Sequence, residues 1–186
     1  SLQTSNDSAV PQILRNRVHD NQTVGILIQR GAPIVSNNIV WNNGTFGIEV
    51  DTSEPVADPP QPTTAVVTSN VLAFNGAAGL EIYGSRGSPL IKNNLFYKNT
   101  IGLLISGGGW GGTNISPVGV AFNVFSHSLG PKIQHNGLSQ SFNGELPGDY
   151  SSMNSLAGWE GNMAVADVGF VDPDAVTPDL SLRTDS

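Results

Sequence analysis

Pro33-Ile34-Val35-Ser36-Asn37-Asn38-Ile39-Val40-Trp41-Asn42-Asn43 returns along the chain as Pro89-Leu90-Ile91-Lys92-Asn93-Asn94-Leu95-Phe96-Tyr97-Lys98-Asn99. The two stretches share Pro, an aliphatic residue, Asn-Asn, an apolar residue and a closing Asn. The wider rule is an aliphatic residue, two arbitrary ones, Asn, one arbitrary, an apolar residue, two arbitrary, then Asn. Four copies meet it: Ile13/Asn16/Val18/Asn21, Val35/Asn38/Val40/Asn43, Val67/Asn70/Leu72/Asn75 and Ile91/Asn94/Phe96/Asn99. A fifth, Val120/Asn123/Phe125, ends in Ser128. Each of the first four is followed by Gly and an alternating apolar pair: Gly25-Ile26-Leu27-Ile28, Gly47-Ile48-Glu49-Val50, Gly79-Leu80-Glu81-Ile82 and Gly102-Leu103-Leu104-Ile105.

Apolar residues two apart, bounded by Gly and Asn, signal strands rather than helix. The interval from Asn16 to Asn38 is 22 residues and that from Asn70 to Asn94 is 24. Short strands recurring at that period predict a coil closing one turn per repeat, each rung pairing its backbone with the rungs on either side. The expected fold is therefore all-β, a single-stranded parallel β-helix with rungs of about 22 residues, whose right hand comes from the resemblance below. The Asn column has two physical uses. Asn tolerates the left-handed backbone of a sharp bend, and the stacked amides of Asn16, Asn38, Asn70, Asn94 and Asn123 can bond to one another as a ladder.

Across residues 10–128 this pattern resembles the right-handed parallel β-helix proteins of the pectate lyase-like superfamily. The segment from Asn162 to Pro173, ending Val168-Gly169-Phe170-Val171-Asp172-Pro173, resembles the Asp-Pro-x-Phe-Val-Asp-Pro stretch that closes many of them, with Val168 in place of a proline. Leu180-Ser181-Leu182 matches their final strand, and by that likeness the chain reads as cut near Ser186. Residues 1–186 are expected to form one domain, with regular rungs over 1–128 and irregular last rungs plus a C-terminal cap over 129–186. Leu2-Gln3-Thr4 reads as the tail of an earlier rung. The first edge is thus expected to be covered by end-to-end self-association or by a flanking domain outside this sequence.

Composition narrows the function. The 186 residues carry 8 Lys+Arg against 15 Asp+Glu, a net charge of −7. That balance argues against nucleic acid and against an anionic membrane surface as partners. Cysteine is absent, which excludes disulfides and thiolate chemistry. No apolar run is long enough for a membrane span, so membrane insertion is not expected. Only 12% of residues are charged, and 18 asparagines supply much of the polar surface. Asn21-Gln22-Thr23 and Asn43-Gly44-Thr45 match glycosylation sequons, which so Asn-rich a chain yields by chance.

The departures from the period point to one face. Extra residues fall after the Gly-initiated strand, from Asp51 to Thr63 and from Ser106 to Pro117, with a shorter excursion from Tyr83 to Ser88. Insertions on one face of a repeat protein often build its binding surface. Strand alternation turns Ile48, Val50, Leu80 and Ile82 inward and leaves an outward column Leu27, Glu49, Glu81, Leu104. The next outward column is Gln29, Asp51, Tyr83, Ser106. Three carboxylates and a tyrosine thereby share one patch, with Arg86 and Trp110 in the adjoining excursions.

Neighbouring carboxylates repel, so one of them can keep a proton and act as a general acid. Alternatively, Glu49, Asp51 and Glu81 offer oxygen ligands to a hard cation such as Ca2+. In the polysaccharide lyases the chain resembles, outer-face acids bind Ca2+ or neutralise a uronate, and a Lys or Arg removes a proton. By that likeness the catalytic candidates are Glu49, Glu81, Arg86 and Tyr83, with Trp110 and Asp51 contacting substrate. Lys92 lies in another strand and faces another side. His19, His127 and His135 share no ligand spacing and read as surface or turn residues. Trp41 and Tyr97 occupy equivalent positions, either as a sugar platform or as surface packing.

Two functions follow as expectations. One is a secreted or cell-envelope domain of bacterial type that contacts polysaccharide, as part of a lyase, epimerase or glycoside hydrolase. The other is a non-catalytic structural, adhesion or assembly module, for which the carboxylates are ordinary exposed strand residues.

Overall fold

A computed structural model describes residues 10–53, 63–84, 87–107, 119–126, 128–130, 132–135, 140–142, 148–149, 159–165, 168–173 and 179–182. The chain winds as a right-handed parallel β-helix. Coil 1 comprises Gln12–Leu14, Arg17–His19 and Ile26–Ile28; coil 2 comprises Ile34–Ser36, Ile39–Trp41 and Phe46–Asp51. Coil 3 follows with Val66–Thr68, Val71–Ala73 and Ala78–Tyr83, and coil 4 with Leu90–Lys92, Leu95–Tyr97 and Ile101–Ser106. Coil 5 has Gly119–Ala121, Val124–Ser126 and Ile133–His135, and Trp159–Glu160 with Met163–Ala164 begin a sixth.

The three strands of each coil stack in parallel on their counterparts, which makes three sheets. Register is continuous: Val35 pairs with Val67, Val67 with Ile91 and Ile91 with Val120. The third sheet pairs Ile48 with Leu80 and Leu80 with Leu103. Inward columns therefore consist of like residues, and the core runs through the middle of the coils. Val35, Val40, Ile48, Val50, Leu72 and Leu80 have no exposed surface. Phe96 stacks flat on Phe125 one coil on, centroids 4.7 Å apart and planes 4° from parallel.

The asparagine ladder forms, and it runs one coil further than the repeat rule reaches. Asn38 Nδ2 donates to Asn70 Oδ1 (3.0 Å), Asn70 to Asn94 (3.0 Å), Asn94 to Asn123 (3.1 Å) and Asn123 to Asn162 (2.9 Å). Each Oδ1 also accepts the backbone N–H of the asparagine before it, as Asn70 Oδ1 does from Asn38 (2.9 Å). The same amides reach back to strand carbonyls: Asn70 Nδ2 donates to Val35 O at 3.0 Å. A second ladder stands on the closing asparagines, Asn21 to Asn43 (2.8 Å), Asn43 to Asn75 (3.0 Å) and Asn75 to Asn99 (3.0 Å). It stops where the repeat substitutes Ser128, whose buried Oγ has no hydrogen-bond partner among the described residues.

One expectation is corrected here. The left-handed residue at each bend is not the ladder asparagine but the residue before it. Arg15, Asn37, Ser69, Asn93 and Phe122 have φ between 53° and 58°, and Gly161 completes the column at 61°. The ladder side chain is thus left to bond along the stack, while its neighbour takes the bend. The glycine column has a related cause. A Cβ on Gly47 would lie 2.7 Å from Asn75 Nδ2 and 2.6 Å from Gly79 O. The second ladder passes under the Gly-initiated strand so closely that no side chain fits there.

After coil 5 antiparallel pairs join the parallel stack. Gln140–Phe142 pairs antiparallel with Ile133–His135, and Gly148–Asp149 antiparallel with Met163–Ala164. Phe170–Asp172 and Asp179–Leu182 form a hairpin of their own. It packs on the flank of the second sheet, where Phe170 meets Tyr97 edge to face at 5.1 Å. Trp41, Ala73, Tyr97, Phe170 and Leu180 form a small apolar cluster outside the coil interior. Residues 1–9, which hold the expected tail of an earlier rung, lie outside the described residues.

Candidate functional site

The third sheet builds the acidic columns through its register. Leu27 pairs with Glu49, Glu49 with Glu81 and Glu81 with Leu104. Asp51 pairs with Tyr83 and Tyr83 with Ser106. Strand spacing sets the two glutamates about 4.8 Å apart along the stack. The structure thus brings Glu49, Glu81, Asp51 and Tyr83 together, while Arg86 and Trp110 lie outside the described residues.

The excursions leave from the edge of this patch. Thr52 and Thr63, both buried, flank the first one. Thr52 Oγ1 donates to Tyr83 O (3.0 Å), and Thr63 Oγ1 to Asp51 O (3.2 Å). Thr63 is bridged to Gly87 on the far side of the shorter excursion from Tyr83 to Ser88. Gly84 has φ 105°, and a Cβ there would lie 2.4 Å from Ser53 N. The stems of two successive excursions therefore press together beside the carboxylates, with glycine where backbone meets backbone.

The carboxylates are not equivalent. Glu81 is 7% exposed, and its Oε1 accepts the Ser106 hydroxyl at 2.5 Å. Glu49 is half-buried. Asp51 turns Oδ1 to the backbone N–H of Ser53 (2.8 Å) and to the Ser53 hydroxyl. Burial raises the proton affinity of Glu49 above the ordinary glutamate range, and the charges of Glu81 and Asp51 add to it. Burial likewise raises Glu81, opposed by the Ser106 bond and reinforced by Asp51. Alternation places Ser106 in the outward column but gives no sign of this bond.

Glu49, Asp51 and Glu81 are also the three carboxylates that the sequence offers to Ca2+. Among the described residues no three carboxylates or imidazoles are grouped so as to hold a metal ion. Asp51 commits an oxygen to Ser53 and Glu81 one to Ser106.

Trp41 and Tyr97 are 7% and 5% exposed and lie beneath the C-terminal hairpin, so they pack and offer no platform. His19 stacks on Trp41 with centroids 4.0 Å apart, and its Nδ1 bonds to Asp20 Oδ2 at 2.7 Å. His135 departs from the surface reading: it is half-buried, its Nδ1 has no hydrogen-bond partner among the described residues, and desolvation lowers its pKa. Asn43, which heads a sequon, is 2% exposed with its amide committed to the ladder. Lys92 ends a strand of the first sheet, away from the patch.

A family model described as the right-handed beta helix region matches residues 1–136. The chain belongs to this right-handed β-helix family. No curated protein matches it, and no solved structure does. Membership of the family carries the fold; the chemistry rests on the side chains.

The raised proton affinities give a stability prediction. At low pH folded and unfolded chains both hold the glutamate protons, and the pair costs nothing. As pH rises above the ordinary glutamate range the unfolded chain ionises first, so stability falls until the folded carboxyls have ionised as well. Glu81→Gln retains an oxygen for Ser106 and removes the repulsion. It is expected to gain up to about 1 kcal/mol at neutral pH, the scale of like charges directly opposite on a sheet. The gain should vanish below about pH 4. Urea unfolding at both pH values reads the difference, and a pH-independent gain would contradict the assignment.

Proposed function

We propose that the outer face of the third sheet is a glycan-contacting surface. The observation that carries this reading is the pairing of Glu49 with Glu81 beside Tyr83, which is 38% exposed. Where one glutamate of the pair keeps its proton, an O–H donor stands beside a carboxylate acceptor at the spacing of adjacent strands. That arrangement suits vicinal hydroxyls, which donate and accept in turn, and the exposed ring of Tyr83 supplies an apolar face for a sugar. The stems of the excursions make one wall of the same surface. A lyase or epimerase would use Tyr83, or Arg86 from the adjoining excursion, to move the proton. A secreted or cell-envelope location is the setting in which such a surface meets polysaccharide.

A glycan array probed with the purified chain and with Tyr83→Ala tests the proposal. Binding to an oligosaccharide that falls at least about tenfold in the variant, a loss of roughly 1.4 kcal/mol, supports it. Binding that is absent, or unaffected by Tyr83→Ala and Glu81→Gln alike, overturns it. An ultraviolet-absorbing unsaturated product on incubation with a uronate polymer would add the lyase step.

One observation favours a structural module instead: Glu81 is already satisfied by Ser106, so part of the acidic column is engaged within the fold. On that reading Glu49→Gln and Glu81→Gln stabilise the chain and change no interaction.

A further inference from the structure

The second ladder places two asparagines before glycines, Asn43-Gly44 and Asn75-Gly76. In an open chain this dipeptide is the one most prone to deamidation. The glycine nitrogen loses its proton and attacks the asparagine Cγ, and the side-chain nitrogen leaves as ammonia. Water then opens the resulting succinimide to aspartate or to isoaspartate. Glycine speeds the attack because it has no side chain to hinder it and leaves the backbone free to turn.

Here the glycines are required by the stack. A Cβ on Gly44 would lie 2.1 Å from Gln22 O, and one on Gly76 would lie 2.3 Å from Gly44 O. Coil stacking therefore writes the vulnerable dipeptide into the ladder itself. The first ladder escapes this, because its asparagines are followed by strand residues such as Ile39, Val71 and Leu95.

The same stacking removes every requirement of the reaction. The attacking nitrogens are engaged: Gly44 N–H donates to Asn21 O and Gly76 N–H to Asn43 O, both at 2.9 Å. The amides they would attack are fully committed. Asn43 Nδ2 donates to Trp41 O (3.2 Å) and Asn75 Oδ1 (3.0 Å), and Asn43 Oδ1 accepts from Asn21 N (3.3 Å) and Nδ2 (2.8 Å). Asn75 Nδ2 donates to Val40 O (3.3 Å) and Asn99 Oδ1 (3.0 Å), while its Oδ1 accepts from Asn43 N (3.2 Å) and Nδ2. Both side chains are almost wholly buried, at 2% and 1% exposure, which keeps out the water needed to open a succinimide.

We propose that Asn43 and Asn75 are latent deamidation sites, imposed by coil stacking and held unreactive by the second ladder. Opening of the coils exposes them, and the change cannot be undone by refolding. A carboxylate at position 75 would face Val40 O and Asn99 Oδ1, two acceptors, without water. Isoaspartate would also lengthen the backbone by one methylene and break the register. The ladder thereby records irreversibly whether the chain has been open.

Mass spectrometry of digests tests this, with the purified chain held in mildly alkaline buffer, folded or in concentrated guanidinium. Conversion at Asn43 and Asn75 should be at least about 100-fold slower in the folded chain, since it must pass through local opening. Rates within about twofold of each other in the two conditions would overturn the proposal. Two variants read the consequence without the reaction. Asn75→Asp should lower the melting temperature sharply or prevent folding, whereas Asn37→Asp, on an exposed left-handed residue, should leave it within a few degrees. Equal melting temperatures for the two would overturn the claim that the fold cannot be regained.

Discussion

Asn70→Leu is expected to cost about 4 kcal/mol of stability, more than any exposed substitution in the chain. Asn70 sits mid-ladder, 1% exposed, and its Oδ1 accepts two donors from Asn38, the backbone N–H and the side-chain amide. Leucine fills similar space but leaves both donors buried and unbonded, each worth about 1–3 kcal/mol. It also takes donors from Val35 O and Asn94 Oδ1. At the exposed end of the same ladder, Asn16→Leu removes only two outgoing amide bonds, to Leu14 O and Asn38 Oδ1. Its expected cost is about 1 kcal/mol. Urea unfolding of the two variants measures the gradient along the ladder, and equal losses would contradict it.

Phe96→Ala is expected to cost about 3–5 kcal/mol, through lost burial plus the cavity that remains. The ring lies flat on Phe125 and has no exposed surface. It also lies close under the third strand of the preceding coil, since a Cβ on Gly79 would lie 2.8 Å from its edge. Backbone hydrogen bonds between coils hold the surrounding strands apart, so the site collapses little. Phe122 makes the contrast: it is 53% exposed and held at φ 53°, a left-handed conformation that costs a bulky side chain about 1 kcal/mol or more. Phe122→Gly should be neutral or stabilising. Thermal unfolding of the pair separates an inward column from a bend, and a large loss at Phe122 would contradict the placement.

The sequence shows its fold plainly because each coil repeats one physical problem with one solution. Alternation beside Gly separated Ile48 and Val50 from Glu49, and the structure keeps those sides. The Asn column was legible through its period, yet Asn162 was not, because it comes 39 residues after Asn123, beyond any even repeat. The second column appeared in the repeat rule, but its amide bonding depends on the glycines passing over it, a contact between coils that no single rung displays. The bend residue was misplaced for a similar reason. Arg15, Ser69 and Phe122 share no chemistry that would mark a left-handed conformation. Trp41 and Tyr97 could not be judged from the repeats, since what covers them comes from Phe170 and Leu180. The acidic column was readable as a location. Its inner bonds, Ser106 to Glu81 and Ser53 to Asp51, depend on side-chain directions that alternation leaves open.

Hydrogen exchange at the backbone amides of Asn38, Asn70 and Asn94 tests the stacked register most directly. In this fold those N–H groups donate to asparagine side chains of the next coil, at 2.9, 3.0 and 3.0 Å, rather than to strand carbonyls among the described residues. Exchange as slow as that of the neighbouring strand amides, and lost together with it in Asn70→Leu, is the predicted result. Rapid exchange at these three positions in a chain whose strands are protected would contradict the ladder and the register it enforces.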